Sequence, residues 1–118
     1  MKLYQWDKIE NEQLNSLLER QVIHASNLTV ARIHLVKGAV VPEHCHLNEQ
    51  ITMLQSGRLR FLVGGRETEL HAGQTLVIEP NEPHRVEALE DSLAVDLFSP
   101  AREGWRAGAA AYLRQPPK

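Results

Sequence analysis

Residues Gly38 to Gly57 read GAVVPEHCHLNEQITMLQSG, with His44 and His46 separated by one residue. Alternate side chains of a β-strand point to the same face, so this spacing projects both imidazoles into one space. Cys45 lies between them and points to the opposite face, where we expect a small buried apolar residue rather than a metal ligand. Two imidazoles do not complete a metal site, so other parts of the chain must supply further ligands.

Two further candidate ligands follow along the chain. Gln50 comes four residues after His46, and His84 follows the stiff segment Pro80-Asn81-Glu82-Pro83. Three imidazoles and one amide oxygen are donors that suit a divalent transition metal. Glu49 is the alternative fourth ligand, because a slip of one residue would bring its carboxylate to the same place. A glutamine ligand would leave the full divalent charge in the site, which would attract anions and act as a Lewis acid.

The ligand set limits the chemistry without naming the metal. Nickel, zinc, iron, cobalt, manganese and copper all remain open, because availability often decides which metal such a site holds. Three histidines and a glutamine depart from the two histidines and one carboxylate typical of oxygen-activating iron, which weighs against an oxygenase. The other histidines, His24, His34 and His71, are expected on the surface or in packing contacts.

The rest of the chain has the pattern of an all-β protein. From Gln21 onward short apolar runs alternate with turn signals such as Ser56-Gly57 and Gly64-Gly65, which predicts a sandwich or barrel of short strands. Two stretches depart from this pattern. Leucines at helical spacing between Glu10 and Arg20 predict a short helix or turn, and the Ala-rich stretch from Trp105 to Leu113 predicts a short C-terminal helix. Trp105 itself is expected to be a packing residue near the terminus.

Length and charge exclude several classes of function. The 118 residues carry a formal charge of −2, which fits one domain without a basic run for nucleic acid. We expect an N-terminal extension over residues 1–19, a barrel over 20–104, and a short helix with a frayed tail over 105–118. No apolar segment is long enough to span a membrane, and a single cysteine, Cys45, cannot form an internal disulfide. These features favour a cytoplasmic protein.

Near the C-terminus, Ser92 to Phe98 forms a strand pattern whose two faces cannot be assigned from alternation. One face carries leucine and valine, and the other carries Ala94, Asp96 and Phe98. If the first face lies in the core, Asp96 faces solvent. If the second lies in the core, the carboxyl group of Asp96 enters the interior and can act as a general acid or base.

The spacing of the ligand candidates resembles the two sequence motifs of the cupin family. Gly38, His44, His46, Gln50 and Gly57 match the first motif, while Gly73, Pro80 and His84 match the second. There are two departures: Gln50 stands where most cupins have glutamate, and Glu82 stands near a frequent glycine. The resemblance implies a single-domain jelly-roll barrel, or double-stranded β-helix, with short terminal helices and one divalent metal.

Three phrases resemble one subgroup of small cupins, which includes the pectin-degradation (KdgF-type) proteins that ketonise 4,5-unsaturated uronates. They are HLNEQ, EDSLAVDLFSP followed by Ala-Arg, and EGWRAGAAAYLR. The resemblance implies that Gln50 is the fourth ligand and that Asp96 and Phe98 line the cavity. Asp96 would then move a proton, Phe98 would pack on an apolar sugar face, and Arg102 would hold a substrate carboxylate. It also implies a homodimer with its early strands near the interface. Alternating apolar residues on an early strand favour the same interface, and they are Leu28, Val30 and Ile33.

Three functions therefore stay open at this point. The first is metal-assisted ketonisation and ring opening of a small acidic sugar derivative. The second is another metal-dependent cupin reaction, by an isomerase or a dioxygenase. The third is a non-catalytic cupin that binds a small molecule, for which an Asp96 facing solvent would be the distinguishing feature.

Overall fold

Ten antiparallel strands account for most of residues 1–106, the part of the chain that the computed structural model describes. They are β1 (Glu12–Asn15), β2 (Leu18–His24), β3 (Thr29–Leu35), β4 (Val40–His44), β5 (Glu49–Ser56), β6 (Arg58–Val63), β7 (Arg66–His71), β8 (Thr75–Ile78), β9 (His84–Ala88) and β10 (Ser92–Ser99). A 3₁₀ turn at Trp6–Lys8 precedes them and a short helix, α1 (Glu103–Arg106), follows. The prediction of an all-β fold is confirmed.

The strands form two sheets that face each other. The larger sheet has six strands in the order β1-β2-β3-β10-β5-β8, and the smaller has four in the order β4-β9-β6-β7. β10 therefore lies in the middle of the larger sheet, hydrogen-bonded to β3 on one side and β5 on the other. This is the sandwich of a jelly-roll barrel, and its central strand carries Asp96.

Alternation along the strands directs apolar side chains of both sheets into a common core. In β10 the inward residues Ser92, Ala94, Asp96 and Phe98 are buried, whereas the intervening residues are half-buried. The core cluster comprises Leu14, Leu18, Leu35, Ala39, Leu54, Leu59, Phe61, Leu70, Ile78, Ala88 and Ala94. Burial of this apolar surface drives the association of the two sheets.

Of the short helix or turn predicted between Glu10 and Arg20, the helix is wrong and the turn is present, because this segment forms the β1–β2 hairpin. Leu14 and Leu18 are both buried, one on each strand, so their spacing of four residues reflects a hairpin rather than a helical turn. The side-chain oxygen of Asn15 accepts a hydrogen bond of 2.8 Å from the Leu17 amide. Asparagine stabilises tight turns in this way, and here it sets the chain reversal.

Two turns depend on particular residues. Gly57 has φ of 89°, and a Cβ atom there would lie 2.2 Å from the Ser92 hydroxyl, so only glycine fits between β5 and β6. Asn81 has φ of 64° in the turn before β9. Asparagine tolerates this left-handed conformation, which explains why the turn needs no glycine at Glu82.

The ends of the chain complete this description. Helix α1 covers the start of the predicted C-terminal helix, and the remainder of that prediction, with the frayed tail, lies outside the described residues. The domain limits remain predictions, although β1 and part of β2 lie before residue 20 and belong to the larger sheet. No helix within residues 1–106 has the length and apolar character required to cross a membrane.

Candidate metal centre and cavity

A cavity opens between the two sheets, with apolar core residues at one end and polar residues at the other. The space that protein atoms leave empty amounts to about 610 Å³, its open mouth included. The polar part of its wall contains Arg20, His44, Gln50, Thr52, His84 and Asp96, and Phe98 and Trp105 add aromatic surface. Five of the residues predicted to carry chemistry thus share one cavity with residues that the sequence did not single out, and they are His44, Gln50, His84, Asp96 and Phe98.

Three imidazoles meet at the polar end of this cavity. His44 ends β4 and His84 begins β9, and the two are register partners in the smaller sheet. His46 lies just beyond the end of β4, in the loop that leads to β5. One ring nitrogen from each of the three residues lies within 4.8 Å of those of the other two. The predicted convergence of the two histidine motifs is confirmed, although His46 reaches the site from a loop rather than from the strand.

Backbone carbonyls orient all three rings. The Nδ1 atoms of His44, His46 and His84 lie 2.9, 3.0 and 2.8 Å from the carbonyl oxygens of Pro42, Asn48 and Glu82. A carbonyl oxygen only accepts hydrogen bonds, so in each ring the proton sits on Nδ1. Each Nε2 atom then presents a lone pair. This is the tautomer in which a histidine binds a metal through Nε2.

The environment keeps these rings neutral. Burial lowers the pKa of His44 and that of His46 to about 4 in each case. The nearby charge of Arg102 lowers the pKa of His46 further, and burial also lowers the pKa of His84. Hydrogen bonds to the backbone act in the opposite direction but are weaker than desolvation. At neutral pH the three rings are therefore uncharged donors that need no deprotonation to bind a metal.

Gln50 lies next to the histidine cluster, whereas Glu49 faces solvent. Gln50 is buried on the inner face of β5, whereas Glu49 is exposed. The Oε1 atom of Gln50 lies 3.2 Å from Nε2 of His46. With the His46 proton on Nδ1, both of these atoms are hydrogen-bond acceptors, and two acceptors facing each other repel unless a cation lies between them. His84 Nε2 is buried and has no hydrogen-bond partner among the described residues. These lone pairs fit a bound divalent metal.

Asp96 lies on the cavity side of β10, which resolves the two-face ambiguity of that strand. Only 7% of its surface is exposed, and burial raises the pKa of its carboxyl group to about 6. A hydrogen bond with the Thr52 side chain opposes this shift. The Oδ1 atom of Asp96 is buried without a hydrogen-bond partner in the described part of the chain. A carboxyl group in this state can accept and return a proton near neutral pH.

Phe98, near the C-terminal end of β10, and Arg102, just after that strand, lie near the histidine cluster. The Phe98 ring is 5.7 Å from the His46 ring, centroid to centroid. The Arg102 guanidinium carbon lies 5.3 Å from the centre of the Phe98 ring and 4.6 Å from that of Trp105. The Arg102 amide donates a hydrogen bond of 2.8 Å to the hydroxyl of Thr29, which anchors this segment to β3. A planar cation is thus held against aromatic surface next to the histidines.

Three cavity residues were not assigned a functional place from the sequence. Trp105 was expected to pack near the terminus, but α1 brings it to the cavity wall, 5.0 Å from the Phe98 ring. Arg20 is 1% exposed, and its guanidinium carbon lies 4.2 Å from the Trp105 ring centre. Thr52 follows Gln50 by two residues, so the alternation of β5 was a signal that places it on the same inner face.

The predicted burial of Cys45 is wrong, since its side chain is exposed. β4 ends at His44, so the alternation that predicts an inward or outward side chain no longer applies at the next residue. His34 and His71 are exposed as predicted. His24 is half-buried, and its Nδ1 atom lies 2.9 Å from the Thr29 hydroxyl, which is a packing role.

Comparisons with known proteins agree with this fold. Residues 31–99 match the family model described as Cupin domain. An RmlC-like cupin from Shewanella frigidimarina NCIMB 400 is 26% identical, with a TM-score of 0.83 over 89% of this chain and 96% of that one. KdgF from Halomonas sp. is 27% identical, with a TM-score of 0.82 over 88% of this chain and 99% of that one. Both matches extend over nearly the whole of each relative.

A more distant similarity shows the fold alone. Oxalate decarboxylase from Bacillus subtilis is 18% identical, with a TM-score of 0.75 over 82% of this chain and 28% of that one. No protein of curated function matches this chain significantly. The resemblance predicted from the histidine motifs is confirmed by the family match and by the similarity to KdgF.

Proposed function

Because this chain belongs to the cupin domain family, we propose that it is a metal-dependent enzyme that ketonises and ring-opens a small 4,5-unsaturated uronate, as in pectin degradation. One observation carries the proposal. A buried carboxyl group lines a cavity, an arginine lies against two aromatic residues of its wall, and a cluster of three neutral imidazoles contributes His44 and His84 to the same wall. The first suits proton transfer, the second suits a carboxylate, and the third suits a metal. The similarity to KdgF from Halomonas sp. supports the same choice of substrate class.

The metal would be held by His44, His46, His84 and Gln50. When bound there, a divalent ion supplies Lewis acidity to oxygen atoms of the substrate. The metal is not identified by these residues, because three imidazoles and an amide suit nickel, zinc, iron, cobalt, manganese or copper. Arg102 adds a second positive charge, which already influences the pKa values of His46 and His84. An anionic substrate would therefore be attracted to this end of the cavity.

The reaction requires one proton to move within the substrate. The hydroxyl proton at C1 leaves, the bond from C1 to the ring oxygen breaks, and C4 gains a proton. The products are an aldehyde at C1 and a ketone at C5, so the conversion is an isomerisation that needs no oxidant. Asp96 has the properties of the group that carries this proton. Its pKa of about 6 lets it accept a proton and donate it again at neutral pH.

Arg102 and Phe98 would position the substrate for this transfer. The planar guanidinium of Arg102 can hold a carboxylate with two parallel hydrogen bonds. The ring of Phe98 offers apolar surface to one face of a sugar, on the side of the cavity that also bears His46. A non-catalytic binding protein would not need a buried acid in this place, which is why the burial of Asp96 favours an enzyme.

The test is turnover of an unsaturated monouronate. Protein loaded with each candidate metal is incubated with 4,5-unsaturated galacturonate in D₂O, and NMR follows loss of the vinyl proton and incorporation of deuterium at C4. Saturated galacturonate and metal-free protein serve as controls. We expect conversion only with metal and only of the unsaturated sugar. Absence of conversion with every metal would reject this reaction and favour a binding protein.

We also propose that two copies of this chain associate through the outer face of the larger sheet. Register pairing places five apolar residues in one row across five strands, and they are Ile23, Val30, Leu97, Ile51 and Val77. The outer face of the smaller sheet is instead covered by ion pairs, among them Arg58–Glu90 and Arg60–Glu67. An apolar face is the better candidate for a buried interface. Ile33, which the sequence suggested for this interface, lines the cavity instead.

Light scattering tests this association at micromolar concentration. A mass of two chains is expected, and Leu97→Lys is expected to reduce it to one chain. Val36→Lys is the control, because Val36 is an apolar residue with 45% of its surface exposed outside that row. A single-chain mass for the unmodified protein would contradict the dimer.

A cytoplasmic location also remains part of the proposal, supported by the single exposed thiol of Cys45.

A further inference from the structure

Thr52 occupies a buried place between the metal centre and the proposed acid. It is 2% exposed, and its hydroxyl oxygen lies 2.9 Å from Nε2 of Gln50. On the other side, Thr52 and Asp96 are register partners on neighbouring strands. Cross-strand partners on one face hold their side chains in contact, and the Thr52 hydroxyl hydrogen-bonds to the Asp96 carboxyl group. One hydroxyl thus contacts both the amide ligand and the acid.

The donors and acceptors that these groups possess fix the direction of each hydrogen bond between them. A hydroxyl has a single proton to donate, and an ionised carboxylate can only accept. The Thr52 proton therefore goes to Asp96, and Thr52 must accept from Gln50. An amide that donates its Nε2 proton to Thr52 turns its Oε1 the other way, toward His46, where it lies 3.2 Å from Nε2. If Gln50 flipped, its NH₂ group would face the metal centre and no lone pair would be available there.

From this arrangement we infer that Thr52 is a positioning residue that holds the Gln50 amide oxygen toward the metal centre by committing its own proton to Asp96. The inference rests on the proposed metal centre and not on the identity of the substrate. It distinguishes Gln50 from the three histidines, whose rings are oriented by backbone carbonyls. A glutamine ligand has two chemically different ends, so it needs such a residue, whereas a carboxylate ligand would not.

Cobalt binding tests this role without a substrate. Co²⁺ is titrated into the metal-free protein, and its visible absorption reports both affinity and ligand geometry. Loss of a group that orients a metal ligand typically weakens binding by about 10-fold to 100-fold, so Thr52→Val should raise the Kd for Co²⁺ about 10-fold and change the spectrum. Thr52→Ser keeps the hydroxyl and should restore both. Thr52→Ala, which removes the hydroxyl without adding a methyl group, is measured beside Thr52→Val so that misfolding of one does not end the test.

A double-mutant cycle separates orientation from general structural damage. In a Gln50→Glu background the ligand has two equivalent oxygens, so removal of the Thr52 hydroxyl should have little effect on Co²⁺ affinity. An equal loss of affinity in both backgrounds would overturn the inference, as would an unchanged Kd and spectrum in Thr52→Val. Failure of the protein to ketonise any uronate would leave these results intact, because the measurement reads metal binding alone.

Discussion

The two sheets contribute different kinds of chemistry to the cavity and hold it in place by different means. The smaller sheet and its adjoining loop supply His44, His46 and His84, each fixed by a backbone carbonyl. The larger sheet supplies Gln50 and Asp96, and the Thr52 side chain is hydrogen-bonded to both. The histidine side depends on the path of the main chain, whereas the other side depends on side chains that a substitution can remove.

This difference implies that mutations can separate metal binding from the reaction. Substitutions among the histidines should remove the metal, since the carbonyl groups that orient them cannot compensate for a missing ring. Substitutions of Asp96 in the larger sheet and of Arg102 in the segment after it should keep the metal while altering the reaction. Thr52 lies between the acid and the amide ligand, so its substitution should weaken metal binding without abolishing it.

The largest effect is expected on the histidine side. His46→Ala removes a ligand whose ring nitrogen lies within 4.8 Å of those of the other two, and metal content should fall from about one ion per chain to near zero after dialysis. Elemental analysis measures this. His71→Ala is the control, because its side chain is 57% exposed and lies on β7, away from the cavity. Unchanged metal in His46→Ala would disprove the proposed centre.

The second largest effect should fall on turnover, from the opposite sheet. Asp96→Asn keeps the shape and polarity of the side chain but removes the group that transfers a proton, so kcat should fall by roughly 100-fold or more. Metal content should stay at the level of the unmodified protein. The exposed Asp91→Asn serves as the matched control. A normal rate in Asp96→Asn would refute the proposed role of this carboxyl group.

A smaller effect is expected at Arg102, where charge and shape can be separated. Arg102→Lys keeps the positive charge beside the Phe98 ring but loses the planar pair of donors, so KM should rise by about 10-fold with a lesser change in kcat. Steady-state kinetics with the unsaturated uronate measures this. The control is Arg66→Lys, on the exposed start of β7. A change confined to kcat would show that Arg102 acts on the reaction itself rather than on binding.

The sequence predicted the convergence of the three histidines better than it predicted the position of Asp96, for a physical reason. The spacing of His44, His46 and His84 depends on local chain geometry, which a motif records directly. The face of β10 depends on packing against β3 and β5, and both faces of that strand carry apolar residues, so alternation alone did not decide where Asp96 points. Trp105 reaches the cavity only because the chain turns back after β10, which no local pattern records.

The N-terminal segment illustrates the same limit. Leu14 and Leu18 are four residues apart. Both a helix and a hairpin with a two-residue turn can produce this spacing. The Asn15 side chain, by accepting from the Leu17 amide, favours the hairpin. The packing of both leucines in the core cluster then stabilises it. Tertiary contacts therefore decided between two local structures that the sequence pattern could not distinguish.

The smallest effect we expect is on the pH dependence of stability in the metal-free protein, and it has opposite signs on the two sides of the cavity. His44 and His46 have pKa values lowered to about 4 in the native state, against about 6.5 in an unfolded chain. Between these values the unfolded state binds more protons, so the histidines lower the stability as pH falls from about 6.5 to 4. Asp96, with a pKa raised to about 6, binds a proton more readily in the native state, and its contribution is lost as pH rises through 6.

The histidines outnumber the single acid, so the free energy of unfolding should increase with pH across this window. Asp96→Asn removes the opposing contribution and should make the increase steeper, whereas Asp91→Asn should leave it unchanged. Urea unfolding of the metal-free protein at about pH 4.5, 5.5 and 6.5 measures the slope. A slope that does not steepen in Asp96→Asn would mean that the native carboxyl group titrates near its ordinary pKa, and Asp96 would then be poorly suited to carry a proton at neutral pH.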